Sequence, residues 1–185
     1  MNNVIRNIVF TALCIAIGLL LPQVIKVIPV MNIGAVLLPM HIPVLICGML
    51  SGWRFGAICG AILPLLAFVL TGTPPIFPIG ISMVFELATY GLLTGLLYEL
   101  TKGKIYLSLI GAMVGGRIVM GIANTILFNF AGNSFGWMAF ISGAFITALP
   151  GIIIQLIIIP VIIMTLEKNL VWKRQDTLQQ HVEIK

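Results

Sequence analysis

The sequence predicts an all-α integral membrane protein with six transmembrane helices and both termini in the cytoplasm. Hydrophobic residues make up 60% of the chain and charged residues only 8%, whereas soluble domains carry about 25% charged residues. The mean hydropathy of +1.17 agrees with this bias. Several apolar stretches reach the roughly 20 residues that a helix needs to cross a bilayer. A transmembrane β-barrel would instead show short segments of alternating polarity.

Charged residues, prolines and glycines divide the apolar sequence into six candidate spans. They lie at residues 8–25, 33–50, 55–70, 79–98, 106–130 and 137–166. The second and third are short for a full crossing, so we expect them to be tilted, broken or partly re-entrant. Residues 1–166 form the predicted transmembrane domain and residues 167–185 a polar cytoplasmic tail. Because no A-x-A-like cleavage site follows the first span, we expect it to stay in the mature protein.

The loop charges set the orientation of these spans. With the N-terminus in the cytoplasm, Lys26 falls outside. The other loop cations fall inside: Arg6, Arg54, Lys102, Lys104, Lys168, Lys173, Arg174 and Lys185. This is a strong positive-inside bias. Topology and anionic headgroups account for the net charge of +5, so we expect a lipid membrane and no nucleic acid as partner.

Five polar or charged side chains lie at membrane depth, where such groups are costly and by default mark a functional site. They are His41, Glu86, Arg117, Asn124 and Asn129. At about 1.5 Å per residue, Glu86 lies roughly 10 Å and Arg117 roughly 20 Å below the outer ends of two consecutive antiparallel helices. Their long side chains can therefore meet.

Two interpretations of the Glu86 and Arg117 side chains remain open. The first is a structural ion pair that fixes helix packing. The second is a polar ligand site in which the pair, or the arginine alone, is the charged element. An arginine suits a carboxylate or phosphate because its fork donates two parallel hydrogen bonds.

The segment LLPMHIP, residues 37–43, puts two prolines and a histidine inside an apolar span. Proline removes a backbone donor and disfavours helix nearby, so we expect a broken or late-starting helix with extended backbone at Met40 and Ile42. Non-helical backbone at membrane depth must be buried in protein or face a cavity, and this break should therefore line a pocket. His41 then either contacts a ligand or caps the broken turn.

The outer segment TGTPPIFP, residues 71–78, contains three prolines and a glycine. Such a loop is stiff and non-helical, and Ile76 and Phe77 make it unusually apolar for a solvated connector. We interpret it as a lid, with Phe77 among the substrate contacts. The alternative is a tight hairpin between two helices.

Small residues recur at helical spacing, which lets helix backbones approach closely in a membrane. The repeats are Gly48, Gly52, Gly56 and Gly60, the pairs Gly91/Gly95 and Gly111/Gly115, and the pair Ala12/Ala16. In the first span, Thr11, Ala12, Ala16 and Gly18 are expected to leave a shallow groove. This groove serves either packing within the molecule or docking of another membrane protein.

The chain offers little for catalysis or metal binding. Cys14, Cys47 and Cys59 lie in apolar segments without metal-ligand spacing. One histidine with a distant glutamate supplies neither a nucleophile nor a metal set. The sequence has no glycine-rich phosphate loop followed by Lys and Ser or Thr, so the chain cannot hydrolyse ATP itself. We expect no enzyme activity, no cofactor and no metal.

Two long segments carry a resemblance to a known family. They are LPMHIPVLICGMLSGWRFGAICG and GTPPIFPIGISMVFELATYGLLTGLLY. With the six spans and the Ala12/Ala16 pair, they make the chain up to about Leu166 resemble the substrate-binding S components of energy-coupling factor (ECF) vitamin importers. The MHIP and FELATYG blocks look most like the branch that includes the pantothenate S component, although related blocks occur in members for other vitamins.

This resemblance implies a six-helix S-component bundle in a bacterial cell membrane that binds a vitamin, with pantothenate as the expected substrate. It also implies docking through Ala12 and Ala16 onto a transmembrane coupling subunit, the T component, and two cytoplasmic ATPases that complete an ABC importer. The substrate-binding residues expected from the polar groups and the lid are His41, Phe77, Glu86, Arg117, Asn124 and Asn129.

Two alternatives to the pantothenate assignment are kept. One is an S component for another vitamin, such as hydroxymethylpyrimidine or pyridoxine, folate or cobalamin. The other is a stand-alone small secondary transporter. Secondary transporters are usually larger and have internal repeats with broken helices in matching positions, whereas this sequence has one convincing break.

Overall fold

Helices account for nearly all of the chain that the computed structural model describes, namely residues 3–27, 33–132 and 136–183. They are α1 (Asn3–Ile25), α2 (Ile33–Leu37), α3 (His41–Ser51), α4 (Trp53–Thr71), α5 (Ile81–Leu100), α6 (Ile105–Phe130), α7 (Trp137–Ile141) and α8 (Leu149–Glu183). The segment Ile76–Gly80, which is interrupted by extended backbone at Phe77, precedes α5, and a π-helical segment, Ser142–Thr147, precedes α8. The described residues form no strand. The predicted all-α class is confirmed.

Five of these helices are long and apolar enough to cross a membrane: α1, α4, α5, α6 and the first part of α8. The sixth crossing is divided between α2 and the 11-residue α3. The second predicted span is therefore broken, as expected, whereas α4 has 19 residues and is not short. Lys185, one of the predicted cytoplasmic cations, lies outside the described residues.

The outer surface of the bundle is apolar, as a lipid-facing surface must be. On α6 the exposed side chains recur every three or four residues: Leu107, Ile110, Val114, Ile118, Ile122 and Ile126. This interval matches the helical repeat of 3.6 residues and places them along one stripe. In water so large an apolar surface would need a cover, but in a bilayer the lipid tails supply it.

Glycines bring the backbones of α3, α4 and α5 into direct contact. A Cβ atom at Gly91 would lie 2.0 Å from the carbonyl oxygen of Gly56. A Cβ atom at Gly48 would lie 2.4 Å from the carbonyl oxygen of Gly91, and one at Gly60 would lie 2.1 Å from that of Leu87. Because no side chain fits into these spaces, the predicted close approach is confirmed at these glycines.

The glycine pair on α6, Gly111 and Gly115, faces side chains and not a neighbouring backbone. Cβ atoms at Gly111 and Gly115 would meet the side-chain ends of Leu97 and Leu93, not a backbone. These contacts leave room for adjustment, because a leucine can change rotamer. The α5–α6 interface is therefore more adaptable at this level than the α4–α5 interface.

Helix α1 packs against α3 and α4 along one face. Thr11 is buried on this face and accepts a hydrogen bond from the Cys47 thiol at 3.5 Å. Gly18 is also buried, whereas Ala12 and Ala16 are exposed. The predicted groove of all four residues is wrong, because the 3.6-residue repeat places residues 11 and 18 on one side of the helix and residues 12 and 16 on another.

The break between α2 and α3 has a different backbone from the one predicted. Leu38 has a positive φ of 50°, and Met40 is helical with φ −68° and ψ −24°. Extended backbone at Met40 and Ile42 is therefore wrong. The residue that precedes Pro39 is Leu38, and Pro43 lies in the first turn of α3, where a missing N–H breaks no helical hydrogen bond.

Helix α8 runs through the predicted domain boundary. It continues from the membrane-spanning part past residue 166 to Glu183. At the cytoplasmic end of the bundle, the Tyr98 hydroxyl of α5 donates a hydrogen bond to the Glu167 carboxylate. The predicted tail thus begins as an extension of the last helix, tied to α5 at its root.

Candidate functional site

Three ionisable side chains meet in the interior of the bundle. Arg117 Nη1 lies 3.0 Å and His41 Nε2 lies 3.5 Å from the same oxygen, Glu86 Oε1. All three residues are buried, with exposed fractions of 5% for Arg117, 3% for His41 and 1% for Glu86. The contact between Glu86 and Arg117 that the sequence made possible is observed, and His41 joins it. We call these three residues the charged cluster.

The helices bring these side chains to one level. Counted from the cytoplasmic ends of α3, α5 and α6, the cluster residues lie roughly 15, 21 and 18 Å up their helices. His41 is the first residue of α3, so the break that starts this helix determines the height of the imidazole. The backbone N–H of His41 donates to the Leu38 carbonyl at 3.1 Å. The His41 ring lies against Glu86 and does not cap the turn.

Tyr90 completes the surroundings of the charged cluster and was not predicted. Its ring packs edge-on against the His41 ring, with centroids 5.1 Å apart. A Cβ atom at Gly116 would lie 2.6 Å from the Tyr90 ring, so this glycine provides the space that the tyrosine fills. Tyr90 lies four residues after Glu86, on the same helical face, and this spacing is the signal that could have found it.

Several polar atoms of the charged cluster have no hydrogen-bond partner within the described part of the chain. They are Arg117 Nε and Nη2, both ring nitrogens of His41, and Glu86 Oε1. Glu86 Oε1 lies within ion-pair distance of Arg117 Nη1 and 3.5 Å from His41 Nε2, but neither contact meets hydrogen-bond geometry. Arg117 Nη1 additionally contacts the Met120 sulfur at 3.6 Å. Buried polar groups are nearly always satisfied, so an unsatisfied set of this size needs an explanation.

The structure places the other predicted site residues at different distances from the charged cluster. Asn124 is buried on α6, two turns and roughly 10 Å outward from Arg117 on the same face. Asn129 is exposed, and its Nδ2 donates to the Thr125 carbonyl of its own helix at 2.7 Å. Phe77 is 45% exposed in the outer segment. The structure therefore brings Asn124 to the cluster face and leaves Asn129 and Phe77 near the outer end.

The outer segment folds back on itself above α5. Gly80 N–H donates to the Pro75 carbonyl at 2.8 Å, and Phe77 has extended backbone with φ −126° and ψ 134°. Lys26 Nζ, at the end of α1, donates to Thr73 Oγ1 at 3.0 Å. The segment is thus a compact turn that packs on α4, α5 and α6 and accepts one hydrogen bond from Lys26, the residue after α1.

The three cysteines belong to the apolar core. Cys14, Cys47 and Cys59 are buried and free. Among the residues that the structure describes, no group of three His, Cys, Asp or Glu side chains could hold a metal ion.

Gln155 is a buried polar residue that the sequence analysis missed. It lies on α8 with 1% exposure, and its Nε2 donates to the Leu38 carbonyl at 3.3 Å. The sequence marks Gln155 as unusual, because it is the one polar side chain between residues 149 and 164. A lone amide at membrane depth belongs with the other five polar residues.

A comparison with protein families identifies the chain. The family model for the substrate-specific component of ECF transporters matches residues 6–163. The chain belongs to this family. The matched part contains the whole charged cluster and ends within α8.

Family membership establishes the general role of this ECF transporter component. The family consists of substrate-specific components, and with its long apolar helices the chain is a multi-pass integral protein of the cell membrane. It is a substrate-binding part of a transporter. No curated protein and no solved structure matches the chain.

Proposed function

We propose that this component binds a small anionic vitamin with high affinity, with pantothenate as the first candidate. The observation that carries the proposal is the free edge of Arg117. Its Nη1 contacts Glu86, whereas its Nε and Nη2 are buried without hydrogen-bond partners in the described structure. The N–H bonds of these two nitrogens are parallel and form an edge that can bind a carboxylate through two hydrogen bonds.

The composition of the charged cluster supports the same ligand class. Pantothenate has one carboxylate, two hydroxyl groups and an amide. Arg117 offers two donors for the carboxylate, and the unpartnered nitrogens of His41 and Glu86 Oε1 offer groups for hydroxyls. Glu86 then has a positioning role, because it holds one end of the guanidinium and leaves the other free. Asn124 lies roughly 10 Å outward from Arg117 on the same face of α6, and Phe77 belongs to the proposed lid.

A neutral or cationic vitamin is the second candidate. Glu86 Oε1 lacks a hydrogen bond of good geometry and could accept one from a ligand hydroxyl or amine. This would suit a pyrimidine or pyridoxine ligand. The free arginine edge favours the anion, since a cationic ligand would leave two buried donors unpaired.

Calorimetry with the purified component distinguishes these ligand classes. We expect pantothenate to bind with a stoichiometry of about one, and hydroxymethylpyrimidine and pyridoxine to give no heat. Tight binding of a neutral or cationic vitamin without binding of pantothenate would contradict the substrate assignment but not the family. Mass spectrometry of the small molecule that copurifies from cells gives an independent answer.

We also propose that the component takes up substrate only with a T component and two ATPases. The exposed pair Ala12 and Ala16 on α1 supports this proposal, because small residues let a partner helix approach closely in a membrane. A stand-alone secondary transporter is the alternative. Uptake of labelled substrate by cells that express this chain alone, compared with cells that also express the coupling module, separates the two.

Replacing both Ala12 and Ala16 with leucine should abolish uptake and leave ligand binding in detergent nearly unchanged. The added bulk would block the approach of a partner helix, while the charged cluster lies elsewhere in the bundle. The matched control replaces the exposed Ile8 and Ile17 of the same helix with leucine, which changes shape but not bulk, and should transport normally. Normal uptake and assembly by the alanine variant would place the interface elsewhere.

A further inference from the structure

The amide of Gln155 and the backbone of His41 share one acceptor. Gln155 Nε2 donates to the Leu38 carbonyl at 3.3 Å, and His41 N–H donates to the same oxygen at 3.1 Å. Leu38 has a φ of 50°, a conformation that costs energy for a residue with a branched side chain. The turn that starts α3 is therefore strained, and a side chain from α8 holds its carbonyl.

The backbone of α8 also lies against this turn. A Cβ atom at Gly151 would be 2.5 Å from the Val36 carbonyl oxygen and 2.9 Å from the carbonyl carbon of Leu37. Gly151 precedes Gln155 by four residues, so the two lie on one face of α8. The glycine lets the helix approach the end of α2, and the glutamine then reaches the next carbonyl along the chain.

The imidazole of His41 is held by packing and not by a hydrogen bond from its ring within the described chain. Both ring nitrogens lack a hydrogen-bond partner among the described residues, and the nearest charged atom, Glu86 Oε1, is 3.5 Å away. The imidazole also packs edge-on against the Tyr90 ring. Because His41 is the first residue of α3, the position of its ring follows from the backbone of the preceding turn.

We infer that Gln155 is a positioning residue for substrate binding, which acts through the Leu38 carbonyl to hold His41 at the Glu86–Arg117 pair. This inference rests on the proposed function, because it takes the charged cluster as the ligand site. It assigns to α8 a part in the site although the charged cluster itself comes from α3, α5 and α6. Without the amide, the strained turn is free to relax and His41 moves away from the cluster.

The test compares Gln155→Met with Thr165→Val in calorimetric titrations with pantothenate. Methionine keeps the length of the side chain and removes the donor. We expect about tenfold weaker binding, the size expected from one lost buried hydrogen bond. Thr165 is exposed on the same helix and bonds only the Val161 carbonyl of its own turn, so its replacement should leave the affinity unchanged. Unchanged affinity for Gln155→Met would overturn the inference.

A double-mutant cycle separates positioning from a general loss of structure. In a His41→Asn background, Gln155→Met should weaken binding by less than about twofold, because the residue through which it acts is gone. A full tenfold loss in that background would show that Gln155 acts independently of His41 and would overturn the inference.

A measurement without ligand keeps the inference testable if pantothenate does not bind, a result that would count against the proposed function alone. The chain contains two histidines, His41 and His181, which can both be labelled with ¹⁵N. We expect Gln155→Met to shift the His41 ring signals and leave those of His181 in place. Thr165→Val should shift neither. His41 signals that are identical in the wild type and in Gln155→Met would overturn the inference.

Discussion

Replacing Arg117 with lysine should weaken pantothenate binding by about a hundredfold. Lysine keeps the positive charge but presents a single ammonium group in place of the parallel Nε and Nη2 donors. A hydrogen bond to a charged group contributes up to about 3 kcal/mol, and a tenfold change in affinity corresponds to about 1.4 kcal/mol. Calorimetry on the purified variant measures the loss, and thermal unfolding in detergent checks that the protein remains folded.

Two control variants give this result its meaning. Glu86→Gln retains a carbonyl oxygen for Arg117 and for a ligand hydroxyl and should still bind, because the main role of Glu86 is to position the guanidinium. Tyr106 is exposed at the cytoplasmic end of α6, the helix that carries Arg117. Tyr106→Phe should therefore bind like the wild type. The comparison is needed because removing one partner of a buried ion pair leaves an uncompensated charge, which could unfold the protein without any role in binding.

The pH dependence of binding separates Arg117 from His41 as the main charged contact. An arginine stays protonated at any external pH, so the affinity should be nearly flat between about pH 6 and 8. His41→Asn should cost less than Arg117→Lys, since asparagine can still donate one hydrogen bond. A steep loss of affinity with rising pH across this range, abolished by His41→Asn, would assign the charged contact to the histidine.

Replacing Gly91 with alanine should destabilise the bundle by about 3 kcal/mol or more, at the upper end of measured overpacking effects. The added methyl group would lie 2.0 Å from the Gly56 carbonyl oxygen and 2.3 Å from its carbon. Both are backbone atoms, so α4 and α5 would have to move apart. Thermal unfolding in detergent, monitored by size-exclusion chromatography, measures the change in stability.

Two glycine variants serve as matched controls for Gly91→Ala. Gly34→Ala meets nothing within 4 Å and should be neutral or slightly stabilising, because alanine favours helix by about 1 kcal/mol over glycine. Gly115→Ala would meet the end of the Leu93 side chain, which can rotate away, so its cost should be intermediate. Equal stability of the Gly91 and Gly34 variants would mean that the α4–α5 backbone contact is absent from the folded protein.

The sequence was most informative about features that depend on a single helix. The apolar spans, the break after Leu37 and the charged residues at membrane depth could all be read from hydropathy, proline and isolated polar positions. The one-helix geometry of α1 could also have been read correctly, since the repeat of 3.6 residues separates Thr11 and Gly18 from Ala12 and Ala16. The predicted groove is wrong because the four small residues point to two different sides of the helix.

The detailed backbone of the break could not be read from the prolines alone. Proline restricts itself and the residue before it, but the residues between two prolines take the conformation that the surrounding helices stabilise. Here Leu38 adopts a strained turn held by Gln155, and Met40 is helical. The stabilising group comes from a position 117 residues further along the chain, and no local pattern points to it.

The sequence by itself determined the membrane class, the approximate spans and which residues carry charge inside the bilayer. Only the tertiary structure decided that His41 and Arg117 both lie against one carboxylate oxygen of Glu86. It also decided that the Nε–Nη2 edge of Arg117 has no partner in the described structure and that Gln155 supports the broken turn. The reason is that periodicity fixes the face on which a residue lies within its own helix. The rotation and height of one helix relative to its neighbours depend on packing among distant residues, here above all on glycines that allow backbone contact.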